Sequence, residues 1–292
     1  MATASSRWVS VVLWVAAFAV TVMLAVFQRM TGPSYPLRGV LQLADSSEIR
    51  YRLPRSSQGR DSLVISVPRL PGTDAAVLEW RRYPTDEPYR RLPMFGTEDG
   101  SFRAEIPRQP AAGKVEYVVR LAGAGHERVL PAGEPVVARF RDPVPAAVLV
   151  PHIILIFGSM LVSTRALLEV LRRGAPTAKG LVLVAMGLLI CGGLVLGPLV
   201  QKFAFGVYWT GWPLGTDLTD NTTLWAFLAW LPATVVALSG RRTRWAVVVG
   251  WVVMMGVFLI PHSLRGSELD WSQPSAVGEA AGEGGAGDVT PQ

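Results

Sequence analysis

Apolar positions follow two different patterns along the chain. In five stretches they run almost unbroken, and between the first and second of these stretches they alternate with polar positions. The unbroken stretches are Trp8–Phe27, Val144–Ser163, Gly180–Val200, Leu224–Leu238 and Trp245–Ile260. A helix needs about 20 apolar residues to cross ~30 Å of hydrocarbon. The pattern therefore predicts five transmembrane helices, of which Leu224–Leu238 is near the minimum length.

The first apolar stretch has two interpretations. A cleaved signal peptide carries an apolar core of about 7–15 residues, followed by a cleavage site with small residues. Trp8–Phe27 is longer than such a core, and the sequence VFQRMTG around its end offers no clean cleavage site. We therefore predict an uncleaved transmembrane signal anchor over residues 1–30.

Residues 33–142 alternate between apolar and polar positions and contain frequent Pro, Gly and Asp. In KVEYVVRL, for example, Val115, Tyr117 and Val119 fall on one side of an extended chain. Period-two alternation with regular turn signals predicts a small β-sandwich. The predicted strands are Ser62–Val67, Ala76–Tyr83, Ser101–Ile106, Lys114–Leu121 and Pro135–Phe140.

One segment of this region also resembles a known class of module. The string FRAEIPRQPAAGKVEYVVRLAG resembles the hairpin of bacterial immunoglobulin-like and fibronectin-like modules, which carry an IP…P.G..VEY.V pattern. The resemblance implies an immunoglobulin-like fold and no activity. The expected fold class is thus a membrane α-helical protein with an all-β sandwich inserted between helices 1 and 2. Residues 143–265 would form a four-helix bundle, and residues 271–292, which show no periodicity, a disordered tail.

Composition supports a membrane protein. Half of the 292 residues are hydrophobic, and ten are Trp. The net charge of +6 does not gather on a basic, aromatic face, so we do not expect a nucleic-acid partner. Cys191 is the one cysteine, which excludes a disulfide within the chain and a metal site built on several cysteines.

Basic residues predict the orientation in the membrane. They concentrate in two of the connections between apolar stretches, whereas Lys202–Thr223 holds one Lys and two Asp. Basic connections stay in the cytoplasm. The N-terminus would then be cytoplasmic, and the β domain and the C-terminus would lie on the periplasmic side of a bacterial inner membrane. The basic residues counted are Arg165, Arg172, Arg173, Lys179, Arg241, Arg242 and Arg244.

Two histidines would lie near the outer leaflet, each preceded by proline. A metal or haem site is one hypothesis, because imidazole and carboxylate groups bind Zn, Cu and Fe. No HxxxH, HExxH or CxxCH spacing fixes a ligand geometry, however. The alternative is that both histidines are ordinary polar residues near helix ends. The candidate ligands are His152, His262, Asp217, Asp220 and Glu268.

The segment YWTGWPLGTDLTDN, residues 208–221, is either a loop anchored at the interface by its tryptophans or part of a folded site. Its aromatic residues suit the bilayer interface. The GWPLG core, however, predicts a folded or re-entrant loop with defined turns. We expect Asp220 or Asn221 to cap the fourth helix, and Lys202 to reach the interface or neutralise an aspartate. The interface residues of this loop are Lys202, Tyr208, Trp209, Trp212 and Asn221.

The membrane segments themselves favour packing over charge transport. Gly193 and Gly197 form a GxxxG spacing, which lets helices approach closely. The third, fourth and fifth apolar stretches hold no ionisable residue, which argues against a charge-translocating transporter.

The sequence indicates the function of the protein less clearly than its architecture. The β region shows no catalytic constellation, which favours a role other than an enzyme. The leading hypothesis is a binding or accessory protein of an envelope complex, with a membrane or periplasmic protein as partner. A metal- or haem-binding protein and an uncoupled small-molecule permease are the alternatives. The YWTGWP–DLTDN and IPHS–GSE motifs resemble an uncharacterised family of bacterial multi-pass membrane proteins, with no known activity.

Overall fold

The computed structural model describes residues 4–42, 48–59, 61–123, 126–172, 178–261, 269 and 271. The chain divides into two compact units. The helical unit takes residues 1–35 and 143–267, and the β unit takes residues 36–142 and 268–292. Each unit has a hydrophobic core of its own. The predicted combination of apolar helices with a β region is thus confirmed.

Long apolar helices dominate the helical unit. Its elements are α1 (Ala4–Thr31), α2 (Ala146–Leu171), α3 (Lys179–Leu189), a π-helical segment (Ile190–Leu196), α4 (Gly197–Phe205), α5 (Leu218–Leu238) and α6 (Arg244–Phe258). The run from α3 to α4 is one continuous helix. Among the described residues, four helices are long and apolar enough to cross a membrane, namely Arg7–Thr31, Ala146–Leu171, Lys179–Phe205 and Leu218–Leu238. The fifth predicted span corresponds to α6, which is shorter.

Helix α2 is longer than its apolar stretch predicts. The sequence places Arg165 in a connection, but the helix continues to Leu171 and buries this residue. The reason is local charge pairing: Arg165 Nη1 lies 2.7 Å from Glu169 Oε2, one helical turn further on. Its guanidinium also lies 5.6 Å from the ring centroid of Trp14 on α1. An ionised residue at the end of an apolar helix is therefore covered by a carboxylate and an aromatic ring.

The core of the helical unit is built around large side chains that also make polar contacts. Trp230 of α5 is fully buried, and its indole N–H donates to the Val182 carbonyl of α3 at 3.3 Å. Trp251 of α6 donates to the Thr164 hydroxyl of α2 at 3.0 Å. A buried indole needs such a partner because its N–H would otherwise lose its hydrogen bond to water.

The β unit is a barrel-like sheet with an additional hairpin. The strands are β1 (Leu37–Gln42), β2 (Glu48–Leu53), β3 (Ser56–Gln58), β4 (Leu63–Pro68), β5 (Ala75–Tyr83), β6 (Arg90–Gly96), β7 (Ser101–Ile106), β8 (Lys114–Gly123), β9 (His126–Leu130) and β10 (Val136–Arg141). The main sheet has the order β3-β10-β8-β5-β6-β7-β4, and β9 pairs with β8. The pairs are antiparallel except for β10 with β3. Strands β1 and β2 form a separate antiparallel pair.

Five of these strands coincide with the alternating runs in the sequence, within one or two residues at most ends. The inward positions of β8 include Val115, Tyr117 and Val119, all fully buried as the alternation predicts. Strands β1, β2, β3, β6 and β9 were not predicted. The main strands form one barrel-like sheet and not two separate sheets. The immunoglobulin-like sandwich therefore stays a prediction.

The two central strands also bury acidic side chains on their other face. Glu79 of β5 is 5% exposed and lies 2.9 Å from Arg91 Nε and 2.6 Å from Arg120 Nε. Glu116 of β8 accepts a hydrogen bond from Tyr89 Oη at 2.8 Å. It also forms an ion pair with Arg81. These carboxylates are thus compensated by side chains of neighbouring strands.

The C-terminal part of the chain returns to the β unit. Trp271 donates its indole N–H to the Tyr83 carbonyl at 3.0 Å, and the Arg82 guanidinium lies 4.7 Å from its ring centroid. Nearby, the Leu269 amide donates to the Ala112 carbonyl at 3.4 Å. Trp271 opens the predicted disordered tail, yet it is held in place. The rest of that tail, 272–292, lies outside the described residues.

Candidate functional site

The segment between α4 and α5 folds into a compact loop. We call residues 206–217 the α4–α5 loop. Gly206 ends α4 in a left-handed conformation, with φ of 84°, and its N–H donates to the Lys202 carbonyl at 2.9 Å. Glycine adopts this conformation without the strain that a Cβ would bring. The loop therefore leaves the helix through a defined turn.

Asp217 begins α5 as its N-cap. Its Oδ1 accepts the Thr219 N–H at 2.7 Å and the Asp220 N–H at 3.4 Å. A side-chain oxygen at this position satisfies N–H groups that have no partner within the helix. The helix thus begins at Leu218, not at Leu224. The expectation that Asp220 or Asn221 caps this helix is wrong, because both are already inside it.

Asp220 and Asn221 hold the loop instead. Asp220 Oδ2 accepts the Thr210 N–H at 2.7 Å and the Gly211 N–H at 3.1 Å. Asn221 Oδ1 accepts the next N–H, that of Trp212, at 2.7 Å. Three consecutive backbone donors are therefore satisfied by two adjacent side chains of α5. Asp220 is only 7% exposed, so these bonds are shielded from water.

Thr210 links both ends of the loop. Its hydroxyl accepts from Gln201 Nε2 at 2.7 Å and donates to Asp217 Oδ2 at 3.1 Å. Its carbonyl accepts the Asp217 N–H at 2.9 Å. One threonine therefore joins the end of α4 to the start of α5.

Glycine is required at two positions of the loop. A Cβ on Gly211 would lie 2.6 Å from Asp220 Cβ, and one on Gly215 would lie 2.4 Å from the Thr210 carbonyl oxygen. Contacts this short do not occur between real atoms, so any side chain here would displace the backbone. The two glycines of the GWPLG core are therefore needed because the chain packs directly against Thr210 and Asp220. The loop is folded, as its composition predicts.

The loop exposes large apolar side chains on this fixed backbone. Trp212 is 68% exposed and Leu214 is 77% exposed. Trp209 donates its indole N–H to the Trp212 carbonyl at 3.1 Å, which holds the loop tip. Tyr208 is also exposed, with Lys202 Nζ 5.2 Å from its ring centroid. Lys202 further donates to the Gly206 carbonyl at 2.7 Å, so it supports the helix end.

His152 contacts the π-helical segment. Its Nδ1 lies 2.8 Å from the Gly192 carbonyl oxygen. The same carbonyl accepts the Gly197 N–H, the five-residue spacing that defines a π turn. Pro198 follows directly and has no N–H to donate, which favours a break in the regular pattern. His152 thus supplies a further polar contact where the helix departs from α geometry.

The glycines of this segment let helices meet at backbone distance. A Cβ on Gly192 would lie 2.8 Å from Leu155 Cβ of α2, and one on Gly193 would lie 2.7 Å from Thr223 Cγ2 of α5. Gly197 leaves an ordinary contact of 3.9 Å to the His152 ring. The closest approaches therefore belong to the adjacent pair Gly192 and Gly193. The wide π turn takes Gly193 and Gly197 out of the regular GxxxG alignment.

The predicted metal set is brought together only in part. Asp217 and Asp220 share the Thr210 hydroxyl, but His262 and Glu268 lie outside the described residues. Within the described part of the chain, no three His, Cys, Asp or Glu side chains group closely enough to hold a metal ion. The metal or haem hypothesis stays a prediction.

Sequence reasoning missed Gln201 and Thr210. Both are neutral polar residues beside an apolar stretch, and neither type marks a site on its own. The N-cap was easier to predict from sequence, because Asp217 and Asp220 stand three residues apart, the spacing of a capping box. Comparison of the chain with protein-family models and with curated proteins gave no match.

Proposed function

We propose that this chain is a multi-pass protein of the bacterial inner membrane that serves as a binding subunit of an envelope complex. The observation that carries the proposal is the α4–α5 loop. Its backbone is fixed by buried acids, and it presents Trp212 and Leu214 to the outside of the molecule. A rigid loop with an exposed aromatic anchor is typical of a contact that dominates a protein interface.

Pre-organisation explains why such a loop suits binding better than simple solubility. A mobile loop loses conformational freedom when it binds, and that loss weakens the complex. Here the N–H groups of Thr210, Gly211 and Trp212 already have partners in the free protein. The exposed side chains can therefore be buried by a partner with little further ordering of the backbone.

The proposal includes five membrane spans, with α6 as the last. Trp271 packs on the β unit, which lies between α1 and α2 in the sequence. A chain that leaves the β unit along α2 and comes back to it at Trp271 must cross the membrane an even number of times. The helices Ala146–Leu171, Lys179–Phe205 and Leu218–Leu238 give three crossings. This parity supports a fourth crossing by α6, although it has only 15 residues.

The orientation is proposed from charge. Arg172 and Lys179 flank the connection after α2, and Arg241, Arg242 and Arg244 flank the connection after α5. Basic connections stay in the cytoplasm. The β unit, the α4–α5 loop and Trp271 would then share the periplasmic side.

Site-specific photo-crosslinking in cells tests the binding proposal. We expect a photoreactive amino acid at Leu214 to give one discrete protein adduct. Changing Trp212→Ala should reduce that adduct about tenfold or more, the effect of removing an interface anchor. A photoreactive residue at Trp245 is the matched control. This position, at the start of α6, is 74% exposed, close to the 77% of Leu214.

The outcome also separates partner binding from simple anchoring in the bilayer. If Leu214 gives lipid adducts only, and no protein adduct, the loop is an interfacial anchor and the proposal is wrong. Fusions of alkaline phosphatase after Asp142 and after Arg242 test the orientation independently. We expect activity at the first position and none at the second.

A further inference from the structure

The β1–β2 hairpin has two chemically different faces. Leu37, Leu41, Ile49 and Tyr51 pack against the core of the β unit. Gly39 stands opposite Tyr51, and a Cβ on Gly39 would lie 2.1 Å from the Tyr51 ring. The ring therefore covers the glycine and fixes the register of the pair. Because side chains alternate along a strand, the register also determines what the other face displays.

That other face carries three arginines. Arg38 of β1 stands directly opposite Arg52 of β2. Arg50 lies on β2 as well, two residues before Arg52. Like charges directly across a strand pair are destabilising. Arg50 and Arg52 are exposed, and Glu48, the acidic residue of β2 on this face, stands at its far end opposite Gln42. The hairpin thus concentrates positive charge on one exposed face.

A cavity lies beside the arginines. It has a volume of about 340 Å³ and is lined by Arg38, Val40, Arg50 and Arg52 of this face and by Gly39 and Tyr51 of the core-facing side. This volume is at the lower end of the range for small-molecule sites. Val40 is 51% exposed between the arginines, so the surface offers an apolar contact beside the charges.

Chain connectivity limits how far β1 can lie from the end of α1. Helix α1 ends at Thr31 and β1 begins at Leu37. The five residues between them give six Cα–Cα steps, which reach at most ~20 Å when extended. The arginines therefore stay within a distance at which charged lipid headgroups can be met.

We propose that the arginine face of the β1–β2 hairpin binds the phosphates of anionic phospholipids at the membrane surface where α1 emerges. Guanidinium groups bind phosphate oxygens through paired N–H donors, and basic residues near a bilayer are attracted to anionic lipids. The proposal requires only that α1 crosses the membrane. It does not depend on the partner-binding role of the α4–α5 loop.

Hydrogen–deuterium exchange of the full-length protein in lipid nanodiscs tests the proposal. One set of discs contains phosphatidylcholine alone, and the other also contains phosphatidylglycerol. We expect exchange in residues 37–53 to slow by about fivefold or more with phosphatidylglycerol, as bound ligand suppresses local opening. Raised salt should reverse the effect, because the charges are exposed.

Three variants show whether the arginines of the hairpin are responsible. The change R50Q/R52Q should abolish the slowing of exchange, whereas R50K/R52K, which keeps both positive charges, should keep most of it. R90Q/R103Q removes two exposed arginines from β6 and β7 and should leave it intact. Unchanged exchange in β5 and β8 shows that each variant is folded.

Three results would overturn the proposal. The first is no slowing with phosphatidylglycerol in the unmodified protein. The second is equal slowing in R50Q/R52Q. The third is equal slowing by inorganic phosphate in discs of phosphatidylcholine alone, which would make the ligand a soluble anion.

Discussion

Two buried carboxylates in the β unit and two at the start of α5 in the helical unit are compensated by different groups. Glu79 and Glu116 meet arginine side chains from neighbouring strands. Asp217 and Asp220 accept hydrogen bonds from backbone N–H groups at the start of α5 and in the α4–α5 loop. The first arrangement joins strands, and the second determines the path of the backbone itself.

This difference has a physical consequence. A guanidinium on a long side chain can move with its partner or turn to water, so losing one contact is partly compensated. A backbone N–H inside a folded loop has no such freedom, and leaving it buried without a partner is costly. We therefore expect the helical unit to be more sensitive to single changes at these sites than the β unit.

The largest effect should follow from Asp220→Ala. The change leaves the N–H groups of Thr210 and Gly211 without their acceptor, and each buried unpaired donor costs about 1–3 kcal/mol. We expect a loss of about 3 kcal/mol in local stability, measured by hydrogen exchange of the α4–α5 loop in mild detergent. Asp220→Asn keeps an acceptor oxygen and should lose less than half as much. Equal losses would show that the charge matters and the acceptor geometry does not.

A backbone contact between helices should give the next largest effect. Gly192→Ala places a Cβ 2.8 Å from Leu155 Cβ and 3.0 Å from the Ile156 nitrogen, so α2 must move away. Overpacking of this kind costs about 1–3 kcal/mol, which thermal unfolding in detergent would register. Gly187→Ala is the matched control, because a Cβ there meets no atom within 4 Å. A comparable loss in the control would exclude close packing as the cause.

In the β unit, Glu116→Gln should have a smaller effect. The amide keeps an oxygen for Tyr89 but loses its charge toward Arg81, which is 28% exposed and can turn to water. We expect a loss of about 1 kcal/mol in chemical unfolding. A loss as large as that of Asp220→Ala would contradict the difference proposed between the two units.

The smallest effect is a pH dependence at Tyr89. Burial, and then its hydrogen bond to Glu116, raise the pKa of Tyr89 above its ordinary value. The native state therefore keeps this proton at a pH where the unfolded chain has released it. The stabilisation is fully present below about pH 10 and is lost as the pH rises through the native pKa. Tyrosinate absorbance of the unmodified protein minus that of Tyr89→Phe should show this late titration, and an ordinary midpoint would contradict it.

The strands and helices were predicted from sequence to different extents. Alternation located β4, β5, β7, β8 and β10, because each has one apolar face toward the core. It missed the β1–β2 hairpin, whose charged outer face and central glycine obscure the pattern. Apolar runs located the helices, but they could not show that α2 continues through Arg165 or that α5 begins at Leu218. In both cases polar residues belong to the helix because of partners a few residues away.

The candidate site was less predictable than the fold. Aspartates and tryptophans marked residues 208–221 as unusual, but the hydrogen bonds of Gln201 and Thr210 depend on how two helix ends meet in space. The π-helical segment is similar, because it depends on the packing of Gly192 against α2 as well as on Pro198. These hydrogen bonds and the π-helical segment are hard to predict from the neighbouring sequence, because the residues they depend on are distant along the chain.

The π-helical segment has a consequence for how this gene could change. A π turn holds one more residue than the corresponding α turn, so deleting a single codon within residues 190–196 would restore an ordinary helix. The residues downstream would keep their orientation around the axis, because the shortened turn closes on the same carbonyl. A deletion within α3 would instead rotate every downstream residue by about 100° and move Gln201 away from Thr210. Loss of a single residue should therefore be better tolerated within this short interval than in α3.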